Sequence, residues 1–140
     1  MIREFKQTDI DNVMEIWITE NIRAHDFIPK EYWKKNFEYV KKILPNAEIY
    51  VYVENEKIVG FIGLNDNYIE VIFIDSKYQY KGIGTALLNK AKKMKDELTL
   101  SAYKKNTKAI QFYLKNEFKI VEKNIDKEND KVEYIMLWKK

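Results

Sequence analysis

The chain has 140 residues, enough for one domain that buries roughly 70% of the surface of its unfolded form. It has no cysteine and one histidine, which excludes disulfides, thiolate or His-rich metal sites and a cysteine nucleophile. Its net charge of +3 comes from 25 basic and 22 acidic residues, interleaved as in Lys127-Glu128-Asn129-Asp130-Lys131. That is the pattern of a solvated surface, not of a nucleic-acid footprint. No stretch approaches the ~20 apolar residues of a membrane span, and Met1-Ile2-Arg3-Glu4-Phe5-Lys6 lacks the apolar core of a secretion signal. A cytoplasmic protein without nucleic-acid or membrane partners is expected.

In chain order, Ile2 to Phe5 makes a short strand. Thr8 or Asp9 caps a helix striped by Ile10, Val13, Met14 and Trp17. Pro29 suits the first turn of a second helix, striped by Trp33, Phe37, Val40 and Leu44 and stopped by Pro45. Three strands follow, over Ile49 to Val53, Ile58 to Leu64 and Tyr68 to Ile74, joined by polar turns at Asn55-Glu56-Lys57 and Asn65-Asp66-Asn67. Ile83, Ala86, Leu87, Ala91 and Met94 recur at helical spacing. Leu98 to Ala102 reads as a buried strand and Thr107 to Lys115 as a helix. Phe118 to Ile125 and Val132 to Trp138 complete a last strand pair. No repeat or linker divides the chain, so residues 1–140 form a single domain.

The stretch Gln79-Tyr80-Lys81-Gly82-Ile83-Gly84 joins a β-branched strand to a helix and holds two of the four glycines. A glycine-rich turn at a helix start offers free N–H groups and the positive end of the helix dipole to a phosphate. A dinucleotide fingerprint needs a small residue where Leu87 stands, and a nucleoside-triphosphate loop needs Gly-Lys-Ser/Thr where the chain has Gly84-Thr85-Ala86. What remains is Gln-x-x-Gly-x-Gly opening a helix. On these residues alone, a turn without a ligand stays open beside it.

That stretch resembles the acetyl-CoA pyrophosphate signature of the GNAT superfamily of acyl-CoA-dependent N-acetyltransferases, Arg/Gln-x-x-Gly-x-Gly/Ala. A second segment resembles the superfamily's Asn-x-x-Ala-x-x-Phe-Tyr-x-x-x-Gly-Phe, with Asn106, Ala109, Phe112, Tyr113 and Phe118 in register. Glu117 replaces the usual glycine, and Asn116 is the residue expected to hold the left-handed turn in its place. The resemblance implies an α/β fold with a central mixed, mostly antiparallel sheet of about seven strands flanked by about four helices on both faces. It implies transfer of acetyl from acetyl-CoA, a co-substrate, to a primary amine by direct attack in a ternary complex, without a metal.

By the same resemblance, backbone groups of Ile72, Phe73 and Ile74 hold the thioester where the sheet splays. Gln79, Tyr80, Lys81, Gly82, Ile83, Gly84 and Thr85 bind the diphosphate, with glycine where a Cβ would crowd it. Asn106 meets the pantetheine arm and Tyr113 donates the proton to the departing thiolate. Tyr113 lies about two helical turns after Asn106, ~10 Å along one helix face, with Ala109 and Phe112 turned into the core. Many relatives carry a glutamate where this chain has Ser101, so the base is sought at Glu70, expected on the strand face of Tyr68, Ile72 and Ile74. A water chain is the other route. His25 and Phe27, between the first two helices, are expected at the acceptor site, and His25 can relay protons if it titrates near neutrality. Trp17 and Trp33 read more simply as core. A homodimer through the last strand pair is a further expectation. The missing glutamate also keeps a non-catalytic acyl-CoA-binding module in view, against which the retained Tyr113 speaks.

Overall fold

The computed structural model describes residues 1–140. Its element order is β1 (Ile2–Glu4), α1 (Ile10–Ala24), α2 (Lys30–Ile43), β2 (Glu48–Glu54), β3 (Lys57–Asn65), β4 (Tyr68–Ile74), α3 (Ile83–Met94), β5 (Glu97–Tyr103), α4 (Thr107–Lys115), β6 (Lys119–Asp126) and β7 (Lys131–Lys139). One seven-stranded sheet runs β1-β2-β3-β4-β5-β7-β6. Every neighbouring pair is antiparallel except β4 and β5. A parallel pair needs a crossover, which α3 supplies.

Apolar alternation along the strands loads both faces. Leu64, Ile69, Leu98, Leu100 and Met136 pack beneath α3 and α4 with Leu87, Leu88 and Ile110. Ile49, Val51 and Phe61 pack beneath α1 and α2 with Val13, Met14, Trp17 and Trp33. At ~25 cal/mol per Å² of apolar surface, these two layers are the main stabilising term.

Local chemistry departs from the sequence reading in three places. Neither Thr8 nor Asp9 caps α1 with a side chain. Instead Gln7–Asp9 is a 3₁₀ turn, and the Asp9 carboxylate accepts the Lys6 N–H at 2.8 Å and both Arg3 guanidinium nitrogens at 2.8 and 3.0 Å, tying β1 to α1. Pro29 stands just before α2 instead of in its first turn, and Pro45 lies in a 3₁₀ turn that follows the helix. The left-handed residue after α4 is Glu117, at φ 74°, whereas Asn116 sits at φ −95°. Asn116 donates its side-chain amide to the Phe112 carbonyl at 2.8 Å, and its own carbonyl accepts from Lys92 Nζ at 2.7 Å. Asn116 therefore closes the helix end without adopting the special backbone itself.

Candidate active site

Between the end of β4 and the first turn of α3 the backbone runs out of acceptors. From Gln79 to Thr85 no main-chain N–H meets a protein acceptor, and the helical ladder begins with Ala86 N–H to the Gly82 carbonyl at 3.0 Å. The first turn of any helix leaves such donors free, and here the preceding loop adds more. Tyr80, at φ 64°, and Gly82, at φ 83°, turn the chain so that loop and helix start are contiguous. A row of N–H groups at the positive end of a helix is an anion cradle.

The two glycines serve different ends. A Cβ on Gly82 would touch nothing within 4 Å, so glycine is required there by its left-handed backbone. A Cβ on Gly84 would meet the Phe112 ring at 3.0 Å, so that glycine lets α3 and α4 approach. Within the protein itself, one glycine thus answers to backbone conformation and the other to helix packing. The Gln79 side chain is a tie: Nε2 donates to the Ile74 carbonyl at 3.0 Å and toward Glu20 Oε1 at 3.4 Å, and Oε1 accepts from Lys108 Nζ at 2.9 Å. Glu20 is buried, accepts the Ser76 N–H at 3.2 Å, and burial holds its carboxyl above the usual range. Tyr80 is exposed, with Lys108 Nζ 4.7 Å from its ring centre.

The second feature is the split of the sheet. β4 and β5 pair only at Tyr68 with Thr99 and at Ile69 with Leu100. Beyond that, Val71 to Ile74 pair with β3 alone and Ser101 to Tyr103 with β7 alone. A bulge drives them apart: Leu64 faces Ile69 and Gly63 faces Val71, leaving Glu70 without a partner. An extra residue bends a strand and reverses its alternation. Ile69, Ile72 and Ile74 therefore pack on the α3/α4 side, while Val71 and Phe73 pack on the α1/α2 side. The expected common face for Tyr68, Glu70, Ile72 and Ile74 does not exist, because plain alternation misses the bulge. Glu70 is exposed and lines the cleft.

That cleft has a volume of about 260 Å³ and opens between the parted strands. Asn106, Ala109 and Tyr113 of α4 line it from one side of the sheet, and Trp17, Asn21, His25 and Trp33 from the other. Ala109 packs against the core as expected and also lines the cleft. Phe112 does turn away, onto Gly84. The Tyr113 ring is buried edge-on against Phe112 and Phe118, and burial raises its phenol well above the ordinary value, with no hydrogen bond acting on it. It remains a proton donor at neutral pH.

Asn106 has a structural duty that the motif does not reveal. Its Oδ1 accepts the Ala109 N–H at 3.2 Å, which caps α4 and fixes the amide. Nδ2 then points at His25 Nε2, 3.3 Å away. An amide nitrogen only donates, so Nε2 accepts and the imidazole proton sits on Nδ1. The His25 ring is packed among Phe27, Trp33 and Tyr103, and burial pushes its pKa down to about 4. Nδ1 makes no hydrogen bond, although the Asn21 carbonyl lies near enough to favour the protonated ring somewhat. His25 is neutral at physiological pH, so a relay titrating near neutrality is not what this ring provides. Phe27 lies behind it and does not line the cleft.

Three polar lining residues were not singled out from sequence: Asn21, Tyr103 and Glu133. Tyr68 O–H donates to Ser101 Oγ at 2.9 Å, so the serine is occupied as an acceptor. Tyr103 donates to Asp126, and Tyr32, on α2, to Glu128. The β6–β7 turn thereby reaches across the mouth of the cleft. Only the cross-strand register of β5 with β7, which no local pattern encodes, brings Glu133 opposite Tyr103.

Comparison with known proteins agrees with this architecture. The family model of the acetyltransferase (GNAT) domain matches residues 45–120. The peptidyl-lysine N-acetyltransferase YiaC of Escherichia coli is 31% identical over 140 residues, 99% of this chain and 96% of its own. The peptidyl-lysine N-acetyltransferase YjaB of the same organism is 32% identical over 120 residues, 85% and 82% respectively. The solution structure of apo YjaB superposes with a TM-score of 0.88 at 27% identity, covering 99% of this chain and 96% of that one. The PaiA N-acetyltransferase of Thermoplasma acidophilum, in complex with coenzyme A, has a TM-score of 0.87 at 21% identity over 100% and 98%, a likeness of fold. On the family match and the full-length relatives, the chain belongs to the GNAT acetyltransferases and is an N-acetyltransferase.

Proposed function

We propose that the cleft takes acetyl-CoA as co-substrate and passes its acetyl group directly to the ε-amine of a lysine in a protein or peptide. The observation that carries the cofactor half is the unbroken row of free N–H groups from Gln79 to Thr85, contiguous with the unpaired edge of β4. The row fits a diphosphate. The strand edge from Val71 to Ile74 fits an extended arm carrying amides, and N–H groups aimed at a carbonyl lower an acyl-transfer barrier by about 3 kcal/mol each. Tyr113, at the inner end of the cleft, gives its proton to the departing sulfur. Asn106 keeps one amide hydrogen for the arm after its cap and its His25 contact are made. The lysine acceptor is supported by the names of the two Escherichia coli relatives and by the Tyr103–Asp126 and Tyr32–Glu128 pairs at the mouth, whose carboxylates suit a cation.

Titration calorimetry with CoA tests the cradle. Wild type should bind, and Gly82→Val should bind at least ~10-fold more weakly. A β-branched residue in a left-handed conformation carries about 1–3 kcal/mol of strain, which moves the loop. The melting temperature should fall by only a few degrees, from that backbone strain alone, since the new side chain meets nothing. Normal CoA affinity in this variant would place the diphosphate elsewhere.

A further inference from the structure

An amine acceptor arrives as an ammonium and must lose a proton before it attacks, so the cleft needs a base. Ser101 cannot serve, and its hydroxyl is already held by Tyr68. His25 is a weak base, buried and aimed at Asn106. Glu70 lines the cleft but stands on the bulge, open to solvent. One more carboxylate lines it: Glu133 on β7, the cross-strand partner of Tyr103 and two pairs further along the ladder than Ser101 with Ile135, hence on the same face.

Three observations set Glu133 apart. It is half-buried, where an unpaired carboxylate is costly unless it is used. No lysine or arginine forms an ion pair with it. The groups around it are otherwise acidic or neutral: Tyr103 on β5, Asp126 and Asn124 on β6, Tyr68 and Glu70 on β4, and the neutral His25 from α1. We propose that Glu133, supplied by the strand next to the one that carries Ser101, is the general base of this acetyltransferase. Burial first, and the charge of Asp126 second, hold its carboxyl above the ordinary carboxylate range, which strengthens it as a base.

The step balances without any further reactant. The Glu133 carboxylate takes one proton from the acceptor ammonium, and the freed amine forms the new C–N bond as the C–S bond breaks. The Tyr113 hydroxyl gives its proton to the leaving sulfur, and the second amine proton is shed as the neutral amide forms, restoring the phenol.

This inference rests on the acetyl-transfer reading, and one experiment separates the two. Thiol release from acetyl-CoA is followed with Nα-acetyl-lysine amide as acceptor, across pH, for wild type, Glu133→Gln, Glu133→Asp and Glu70→Gln, alongside CoA calorimetry. Glu133→Gln should lose roughly 10²-fold in kcat/KM near neutrality, regain rate as pH rises toward the pKa of the amine, and bind CoA normally. Glu133→Asp, which keeps a carboxylate, should recover part of the rate, a rescue that a merely structural role does not give. Glu70→Gln, whatever its rate near neutrality, should show no such recovery as pH rises. If Glu133→Gln matches wild type in rate and profile, or if the pH-dependent loss falls on Glu70→Gln instead, Glu133 is not the base while acetyl transfer stands. A wild-type chain that releases no thiol overturns the acetyl-transfer reading and this inference with it.

Discussion

Between Gln79 and Thr85 the ligand would be met by main-chain N–H groups, whereas across the cleft each feature depends on a particular side chain: Glu133, His25, Tyr103. The loop needs only that the chain turn correctly, so its sequence requirement shrinks to a left-handed glycine and a glycine facing Phe112. The acceptor wall needs residues from α1, β4, β5 and β7 brought together by sheet register. A backbone device constrains the sequence strongly and locally. A side-chain device constrains it weakly and over long separations.

Tyr113 stands where the two halves join, and its removal tests that junction most severely. Tyr113→Phe keeps the ring that packs on Phe112 and Phe118. Turnover should fall by roughly 10²-fold or more, with kcat and kcat/KM falling together and CoA affinity kept. Raising the pH should not rescue it, in contrast to Glu133→Gln. Unaltered turnover, measured by thiol release, would mean that the thiolate leaves without a proton from this residue.

A second test uses the fact that main-chain N–H groups do not titrate and an imidazole does. The folded pKa of His25, about 4, lies below the unfolded value of 6.5, so the unfolded chain takes the proton first and stability falls as pH drops from 6.5 toward 4. Between about pH 7 and about pH 5, wild type should lose about 2 kcal/mol relative to His25→Gln in urea unfolding. The raised carboxyls of Glu20 and Glu133 slope the opposite way but occur in both chains and cancel in the difference. Equal pH dependence in the two proteins would mean that the ring is solvated, not buried.

The same division explains what could be read from the sequence. Element order, the mixed sheet and the phosphate loop follow from periodicities and a short motif, each contained within a dozen residues or so. The bulge at Glu70 was not legible, because its strand reads as regular alternation and the extra residue shows only against β3. Nor was Glu133, whose place beside the cleft exists only after β7 inserts between β5 and β6. Asn106 was legible as a motif residue, but its cap on Ala109 and its hold on His25 needed coordinates. Glu117 taking the left-handed position itself went against propensity, because the Asn116 side chain was already committed to Phe112.

The smallest effect falls on Gly84, where the reading from sequence and the reading from structure part. If its glycine serves the diphosphate, Gly84→Ala weakens CoA binding and leaves stability alone. The structure places the added Cβ 3.0 Å from Phe112 Cζ, tighter than ordinary contact. Phe112 is half-buried and wedged against Tyr113, so its ring can give only by disturbing that pair. Against this, alanine in a helix gains up to about 1 kcal/mol over glycine. In wild type overpacking should outweigh that gain and leave a net loss of about 1 kcal/mol. In a Phe112→Leu background the obstruction is gone, so Gly84→Ala should turn neutral or stabilising, a coupling of about 1 kcal/mol in a double-mutant cycle read by chemical denaturation. CoA affinity should follow the stability and not the Cβ. A cycle with no coupling, accompanied by lost CoA affinity in both backgrounds, would return Gly84 to the phosphate and make the loop a backbone device at both of its glycines.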